Sequence, residues 1–249
     1  MISKAQIKLI KSLQQKKNRE QMHLFIAEGK KIVEELLQST TIEVVHVYAS
    51  GNYFGNRPFT QVTEEEMKKI SALTTPPNIM AICRIPQENA ILPDLQKELA
   101  LVLDDIRDPG NLGSIIRIAD WFGIKHIFCT PECVDVYNPK VVQASMGSIA
   151  RVQLDYKNLR SILSECAEKQ SPVYGAKLDG TSILKEKLST HGLLIIGNES
   201  NGISPELTKY ITNAIKIPSY QGGAESLNAA MATAILCAEF RREAMRTEG

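Results

Sequence analysis

Three short polar segments of the 249-residue sequence combine glycines with side chains that could bind or polarise a ligand. They cover residues 104–113, 197–205 and 217–228, and a basic residue, Arg117, follows the first of them. Glycine lets the backbone approach a ligand closely. An arginine guanidinium stays protonated and carries five N–H donors, so it can bind a polar or anionic ligand. The segments therefore predict a ligand site. Its candidate polar side chains are Asn111, Arg117, Glu199, Ser226 and Asn228.

Each of these candidates also has an ordinary structural interpretation. The apolar stripe of the predicted helix at 111–122 leaves Arg117 off the core face, where it could pair with Asp120. Glu199 could accept backbone N–H groups within its own loop. Ser226 and Asn228 could cap the helix that follows them. The sequence leaves these alternatives open.

Several common active-site motifs are absent from the sequence. It contains no G-x-x-x-x-G-K-[ST] loop, no complete G-x-G-x-x-G, no G-x-S-x-G elbow and no H-E-x-x-H. The five cysteines are scattered, and the pair at 129 and 133 has no histidine or second cysteine pair nearby. We therefore expect no bound metal and reduced thiols, as is usual in the cytosol. An unrelated nucleotide-binding α/β enzyme is the less favoured alternative, because its phosphate loop is missing.

The segments around these candidates alternate apolar strands with helices. Strands separated by helices favour a parallel sheet covered on both faces, and such sheets bind ligands at the carboxyl ends of their strands. The strands are predicted at 101–103, 126–129, 173–176, 193–196 and 214–217. The helices are predicted at about 111–122, 139–147, 157–169, 205–210 and 226–246. Asn111 and Ser226 are the expected caps of the first and last of these helices.

The first part of the chain predicts a smaller α/β domain. Its helices are expected at 4–17, 28–37 and after Thr63, which begins a capping box closed by Glu66. Its strands are expected at 25–27, 43–48 and 79–83. We predict a domain over residues 1–85, a linker over 86–97 and a larger domain over 98–249.

The composition is that of an ordinary soluble globule, with 43% hydrophobic residues, 23% charged residues and a net charge of +1. No apolar run is long enough for a membrane-spanning helix, and no secretory apolar core stands near the N-terminus. The charge is uneven, because residues 1–31 hold an excess of basic side chains. This excess could contact a phosphate backbone or form a solvated helix face. The basic residues are Lys4, Lys8, Lys11, Lys16, Lys17, Arg19, Lys30 and Lys31.

Taken in order, the three polar segments resemble the three motifs of the SpoU-type, or TrmH-like, RNA 2′-O-ribose methyltransferases of the SPOUT superfamily. The matching motifs are Asn111-Leu112-Gly113-x-x-x-Arg117-x-Ala119, Gly197-Asn198-Glu199-x-x-Gly202-Ile203, and Ile217-Pro218 followed by Glu225-Ser226-Leu227-Asn228. The first part of the chain is similar to the substrate-binding domain of that family. It shares Lys16-Lys17-x-Arg19, Phe25-x-x-Glu28-Gly29 and Thr74-Thr75-Pro76-Pro77.

The resemblance implies a fold and an activity. The fold is an α/β SPOUT domain, a parallel sheet flanked by helices with a C-terminal trefoil knot, preceded by a smaller α/β RNA-binding domain. The family forms homodimers through the C-terminal domain. The implied activity is methyl transfer from S-adenosyl-L-methionine to a ribose 2′-hydroxyl in structured RNA of the cytoplasm, ribosomal RNA or else transfer RNA. A catalytically inactive RNA-binding homologue is the alternative.

The resemblance also implies roles for individual residues. Arg117 is the fixed cation beside the ribose, and Asn111, Glu199, Ser226 and Asn228 hold it, the cofactor loop and the ribose in register. The implied cofactor-binding residues are Gly197, Gly202, Ile217, Pro218 and Leu227. A side chain at 197 is expected to collide with the adenosine. The implied RNA-binding residues are Lys16, Lys17 and Arg19.

Overall fold

The computed structural model describes residues 2–51, 58–87, 93–156, 159–220 and 225–247. The chain divides into two compact units. Unit 1 comprises Met1–Glu88 and Asp135–Arg151, and unit 2 comprises Asn89–Val134 and Val152–Gly249. None of the helices in these ranges is long and apolar enough to span a membrane.

The secondary structure alternates helices and strands along the chain. The helices are α1 (Lys4–Ser12), α2 (Lys16–Met22), α3 (Lys30–Leu37), α4 (Glu64–Ile70), α5 (Pro109–Trp121), α6 (Pro139–Ser145), α7 (Arg160–Glu168), α8 (Pro205–Thr208) and α9 (Ala229–Thr247), with a 3₁₀ turn at Ser148–Ala150. The strands are β1 (Leu24–Glu28), β2 (Val44–Ala49), β3 (Thr60–Gln61), β4 (Ile79–Arg84), β5 (Leu99–Leu103), β6 (His126–Cys129), β7 (Gln153–Tyr156), β8 (Val173–Ser182), β9 (Gly192–Ile196) and β10 (Asn213–Lys216).

Unit 1 is built on a four-stranded sheet in the order β1-β4-β2-β3. Strand β4 lies between β1 and β2 and is antiparallel to both. Helix α4 begins as predicted, since the Thr63 side chain accepts from the Glu66 N–H and the Glu66 side chain accepts from the Thr63 N–H. Its buried residues, Met67 and Ile70, join a core cluster that also contains Met80 of β4.

The prediction of a single helix at 4–17 is wrong, because the structure has two helices there, α1 and α2. The buried Arg19 side chain explains the interruption. Its Nη1 atom donates to the carbonyl oxygens of Leu13 and Gln14, each at 2.9 Å. These carbonyl oxygens therefore accept hydrogen bonds from the guanidinium and not from the backbone N–H groups of a continued helix.

Residues 135–151, which the sequence places in the larger domain, belong to unit 1. Asp135 accepts from Arg19 Nε at 3.0 Å, and the Tyr137 ring lies 4.8 Å from the Phe25 ring between centroids. At the other end of the segment, Arg151 forms an ion pair with a glutamate of α3. The unit is therefore assembled from two separate stretches of sequence.

Unit 2 contains the predicted parallel sheet. Its six strands run in the order β10-β8-β9-β5-β6-β7, and every neighbouring pair is parallel. The central strand β5 is buried at all of its residues, as expected for a strand covered on both faces. Strand β7 was not predicted, because its sequence, Gln-Leu-Asp-Tyr, carries two polar residues in four and lies at an edge of the sheet.

Because all six strands are parallel, their carboxyl ends lie at one edge of the sheet. The loops after β5, β9 and β10 leave this edge, and they are the three polar segments of the sequence. The fold therefore places the candidate residues of unit 2 on the same side of one sheet.

Candidate active site

The loop after β5 is held by Asp108, which caps helix α5. The Asp108 Oδ1 atom accepts from the Asn111 N–H at 2.8 Å, and Pro109 occupies the first helical position. The prediction that Asn111 caps this helix is therefore wrong. Asn111 lies within the first turn, which leaves its side-chain amide available to another loop.

The loop after β9 is a tight turn closed by reciprocal backbone hydrogen bonds. The Asn198 N–H donates to Gly202 O at 3.0 Å, and the Gly202 N–H donates to Asn198 O at 2.9 Å. Gly202 has a φ of +67°, which favours glycine. A Cβ atom at Gly197 would lie 2.3 Å from the carbonyl carbon of Gly202. Glycine at 197 is therefore required by the loop itself. The collision with adenosine that the resemblance implies is a separate reason and stays a prediction.

A chain of side-chain hydrogen bonds joins all three loops. The Asn111 Nδ2 atom donates to Glu199 Oε1. The Asn228 Nδ2 atom donates to Asn111 Oδ1 at 2.8 Å. The structure thus brings together three of the five predicted polar candidates. We call Asn111, Glu199 and Asn228 the polar relay.

Asn228 is also the cap of helix α9. Its Oδ1 atom accepts from the N–H groups of Ala230 at 2.9 Å and Met231 at 3.3 Å. The prediction that Ser226 caps this helix is therefore wrong. Ser226 is exposed, and no hydrogen bond between described residues involves it.

Two further contacts tie the first loop to the second, and sequence reasoning missed both. The Ser204 N–H donates to Asp104 Oδ2 at 2.7 Å, and Asn198 Nδ2 donates to Asp105 O at 2.8 Å. Asp104 is 5% exposed. A carboxylate directly after a fully apolar strand is a usable signal, because a buried charge needs donors close by.

Arg117 is exposed on helix α5 and stands apart from the polar relay. No ion pair or hydrogen bond to another described residue involves it, so the alternative interpretation, a pair with Asp120, is not observed. Arg117 lies six positions after Asn111 in the helix, which places the two side chains about 120° apart around the helix axis. Trp121 lies one turn beyond Arg117 on the same face and is 84% exposed.

Three of the residues expected to bind a cofactor are apolar and belong to the third loop. Ile217 is half-buried and Pro218 is exposed directly after β10, and Leu227 precedes Asn228 with 44% exposure. The Glu199 carboxylate is engaged by Asn111. No group of three or more His, Cys, Asp or Glu side chains in the described ranges could hold a metal ion.

The three basic residues predicted to bind RNA occupy different environments in unit 1. Lys16 and Lys17 are exposed on α2. Arg19 is 2% exposed and forms an ion pair with Asp135. The prediction of a direct RNA contact is therefore corrected for Arg19, whose guanidinium is used inside the unit.

Comparisons with known proteins cover both parts of the chain. The model of the SpoU rRNA Methylase family matches residues 98–238, and that of the MRM3-like substrate binding domain matches residues 4–81. The chain is 31% identical over 237 residues to the 23S rRNA (guanosine(2553)-2′-O)-methyltransferase of Bacillus subtilis, covering 93% of this chain and 94% of that protein.

Solved structures show the same similarity. A TrmH-family protein from Porphyromonas gingivalis is 40% identical, with a TM-score of 0.86, and covers 97% of this chain and 99% of that one. An AdoMet-bound rRNA methyltransferase from Sinorhizobium meliloti is 27% identical, with a TM-score of 0.84, and covers 97% of each chain. The order of the three loops, the parallel sheet and these matches agree. The chain belongs to the SpoU rRNA methylase family.

Proposed function

We propose that this protein transfers a methyl group from S-adenosylmethionine to a ribose 2′-hydroxyl of ribosomal RNA. The observation that carries the proposal is the polar relay, which joins three loops at the carboxyl edge of a parallel sheet. The Bacillus subtilis and Sinorhizobium meliloti relatives are rRNA methyltransferases, and the latter structure contains AdoMet. Both support the choice of substrate and cofactor.

The residues beside the polar relay fit this cofactor. When bound, S-adenosylmethionine supplies an electrophilic methyl group on a positively charged sulfur, and this charge is lost on transfer. Backbone groups at Gly197 and Gly202 and the apolar side chains of Ile217, Pro218 and Leu227 would hold it. The residues that would hold it are uncharged, and the Glu199 carboxylate accepts a hydrogen bond from Asn111. Such a pocket favours loss of the charge over its retention.

The residues of this chain must then orient a weakly acidic hydroxyl and stabilise its developing alkoxide. Arg117 suits this task, because its guanidinium is exposed and makes no ion pair with another described residue. It stays protonated, so it acts by electrostatic stabilisation and by holding the ribose and the neighbouring phosphate. The polar relay fixes the beginning of α9 against α5, and Ser226 stands beside it as a further contact for the ribose.

The proposal is tested with purified protein, labelled S-adenosylmethionine and ribosomal RNA from cells that lack the gene. We expect one ribose to become labelled, and mapping of 2′-O-methyl groups in cells with and without the protein should find the same nucleotide. Labelling of transfer RNA alone would reassign the substrate. RNA binding without any methyl transfer would identify an inactive homologue and contradict the proposal.

The proposed site includes a second copy of the chain. Helices α5 and α9 pack on each other and expose large apolar side chains, Trp121 at 84%, Met231 at 63% and Ile235 at 41%. Exposed apolar surface of this kind is typical of protein interfaces. Arg117 lies on the same face of α5 as Trp121. A homodimer formed through this face would direct Arg117 toward the partner subunit.

By family membership we also propose the trefoil knot of the SPOUT fold and a cytoplasmic location.

Two carboxylates on this face should separate the dimer. For the double variant Trp121→Glu, Met231→Glu we expect the mass measured by light scattering to fall from twice 27.6 kDa to 27.6 kDa. The separated double variant should also lose methyl transfer. Leu178→Glu is the matched control, because Leu178 is 75% exposed on β8, outside the two helices. A monomeric wild-type protein would contradict the prediction.

The RNA surface of unit 1 is proposed at the exposed lysines of α1 and α2. Lys16 pairs with Glu20 at 3.7 Å, and both side chains are exposed, so this contact costs little to break. For Lys16→Glu, Lys17→Glu we expect weaker RNA binding and a salt dependence whose slope is smaller by about 1 to 2, since each phosphate contact contributes about 0.9. Filter binding at several salt concentrations measures this. Lys68→Glu, Lys69→Glu on α4 is the control, and an equal effect there would argue against a localised surface.

A further inference from the structure

Arg107 projects from the loop after β5 with one edge of its guanidinium anchored. Its Nε atom donates to Asp105 Oδ1 at 2.6 Å, and its side chain is 71% exposed. No described residue accepts a hydrogen bond from Nη1 or Nη2. The two outer nitrogens therefore remain available to a ligand at the carboxyl edge of the sheet.

The anchor itself is held in an unusual conformation. Asp105 has a φ of +57°, and its N–H donates to Thr130 Oγ1 at 3.0 Å. Its carbonyl accepts from Asn198 of the second loop. The left-handed region is less favourable for a residue with a side chain than for glycine, and such residues cluster at functional sites. Two backbone hydrogen bonds thus fix the position of Asp105, whose carboxylate in turn holds Arg107.

Stability does not account for this arrangement. An ion pair with an exposed arginine contributes little to stability. The neighbouring aspartates are used within the loops, Asp104 by the Ser204 N–H and Asp108 by the Asn111 N–H. Arg107 is the one loop cation among residues 104–113, and its fork matches the oxygens of an anion.

We propose that Arg107 binds a phosphate of the substrate RNA next to the methylated nucleotide, with Asp105 as its positioning residue. This inference rests on the proposed function and adds a substrate contact to it. The shared chemistry is anion recognition, and the carboxylate of the cofactor is the other possible source of the anion. Separate measurements with RNA and with S-adenosylhomocysteine distinguish the two.

The test compares Arg107→Ala, Arg107→Lys and wild type in methyl transfer to ribosomal RNA. For Arg107→Ala we expect the KM for RNA to rise about tenfold or more, since a hydrogen bond to a charged group contributes about 1.5–3 kcal/mol. The salt slope of RNA binding should fall by about 1. Arg107→Lys should keep the salt slope of wild type, because it keeps the positive charge. It should recover only part of the RNA affinity, because a lysine lacks the anchored fork.

Controls separate this inference from the proposed function. Arg84 of β4 is also exposed and bound through Nε to a carboxylate, that of Glu43, so Arg84→Ala should leave the KM for RNA unchanged. An unchanged RNA affinity in Arg107→Ala would overturn the inference. Weaker binding of S-adenosylhomocysteine by Arg107→Ala in calorimetry would also overturn the inference, because this result would assign the anion to the cofactor. If wild type transfers no methyl group, the proposed function fails, and filter binding of RNA still decides the role of Arg107.

Discussion

Arg117→Ala should reduce methyl transfer by about 10²–10³-fold or more, because removing one preorganised stabiliser of a developing oxyanion has an effect of that size. Affinity for S-adenosylhomocysteine should change little, since no hydrogen bond or ion pair between described residues joins the exposed guanidinium to the loops that would hold the cofactor. The KM for RNA should change less than kcat if the charge acts mainly in the transition state. Single-turnover kinetics and calorimetry measure the two quantities separately.

Arg117→Lys is the informative control. It keeps a positive charge but loses the planar fork, so we expect activity between that of wild type and Arg117→Ala. Thermal unfolding should be unaffected in both variants, because the side chain is exposed and has no hydrogen bond or ion pair within the described part of the chain. A parallel loss of cofactor binding and methyl transfer would count against a role in the chemical step.

Arg19→Ala and Asp135→Ala should each destabilise unit 1 by about 3–5 kcal/mol, since breaking a buried ion pair leaves one charge unpaired. Arg19 is 2% exposed, and its loss also leaves the carbonyls of Leu13 and Gln14 without their donor. Urea unfolding followed by circular dichroism measures the effect. The single tryptophan, Trp121, lies in unit 2, so its fluorescence reports separately on that unit.

A double variant tests whether the loss arises from the pair. Arg19→Met, Asp135→Leu removes both charges, and buried pairs replaced by apolar residues often regain stability. We therefore expect it to be more stable than either single variant. Lys17→Ala, which changes an exposed lysine of the same helix, should stay near wild type. Single variants as stable as wild type would show that the pair contributes nothing to unit 1.

The fold of unit 2 was largely predictable because its strands carry their own signal. The run at 193–196 is apolar without interruption, as in a strand buried on both faces, and the structure places it in β9. The capping box at Thr63 was equally readable, since both partners lie within four residues. Such local patterns are visible in the sequence without knowledge of tertiary contacts.

The errors have a common physical cause, which is contact between residues far apart in the chain. The interruption between α1 and α2 depends on Arg19 and on its partner 116 positions away. Arg19 looked like a surface cation because its neighbours Lys16 and Lys17 are basic. Nothing local distinguishes a buried arginine from an exposed one until its carboxylate is placed beside it.

The candidate site shows the same division. The loops and the polar side chains were found from the sequence, but the partners within the polar relay were not. Asn111 was expected to cap α5, but Asp108 does so. For α9 the sequence offered Ser226 and Asn228, and Asn228 is the cap. Several residues in each loop can cap, and only the positions of the other loops select among them.

The two-part composition of unit 1 has a consequence for protein engineering and for recombination among relatives. A fragment that ends at residue 88 would omit Asp135 and Tyr137, which contact Arg19 and Phe25. A chimaera that exchanges only the N-terminal half would combine one parent's arginine with another parent's acceptor. Functional exchanges should therefore carry residues 135–151 together with 1–88, and the two stretches should be inherited as one module.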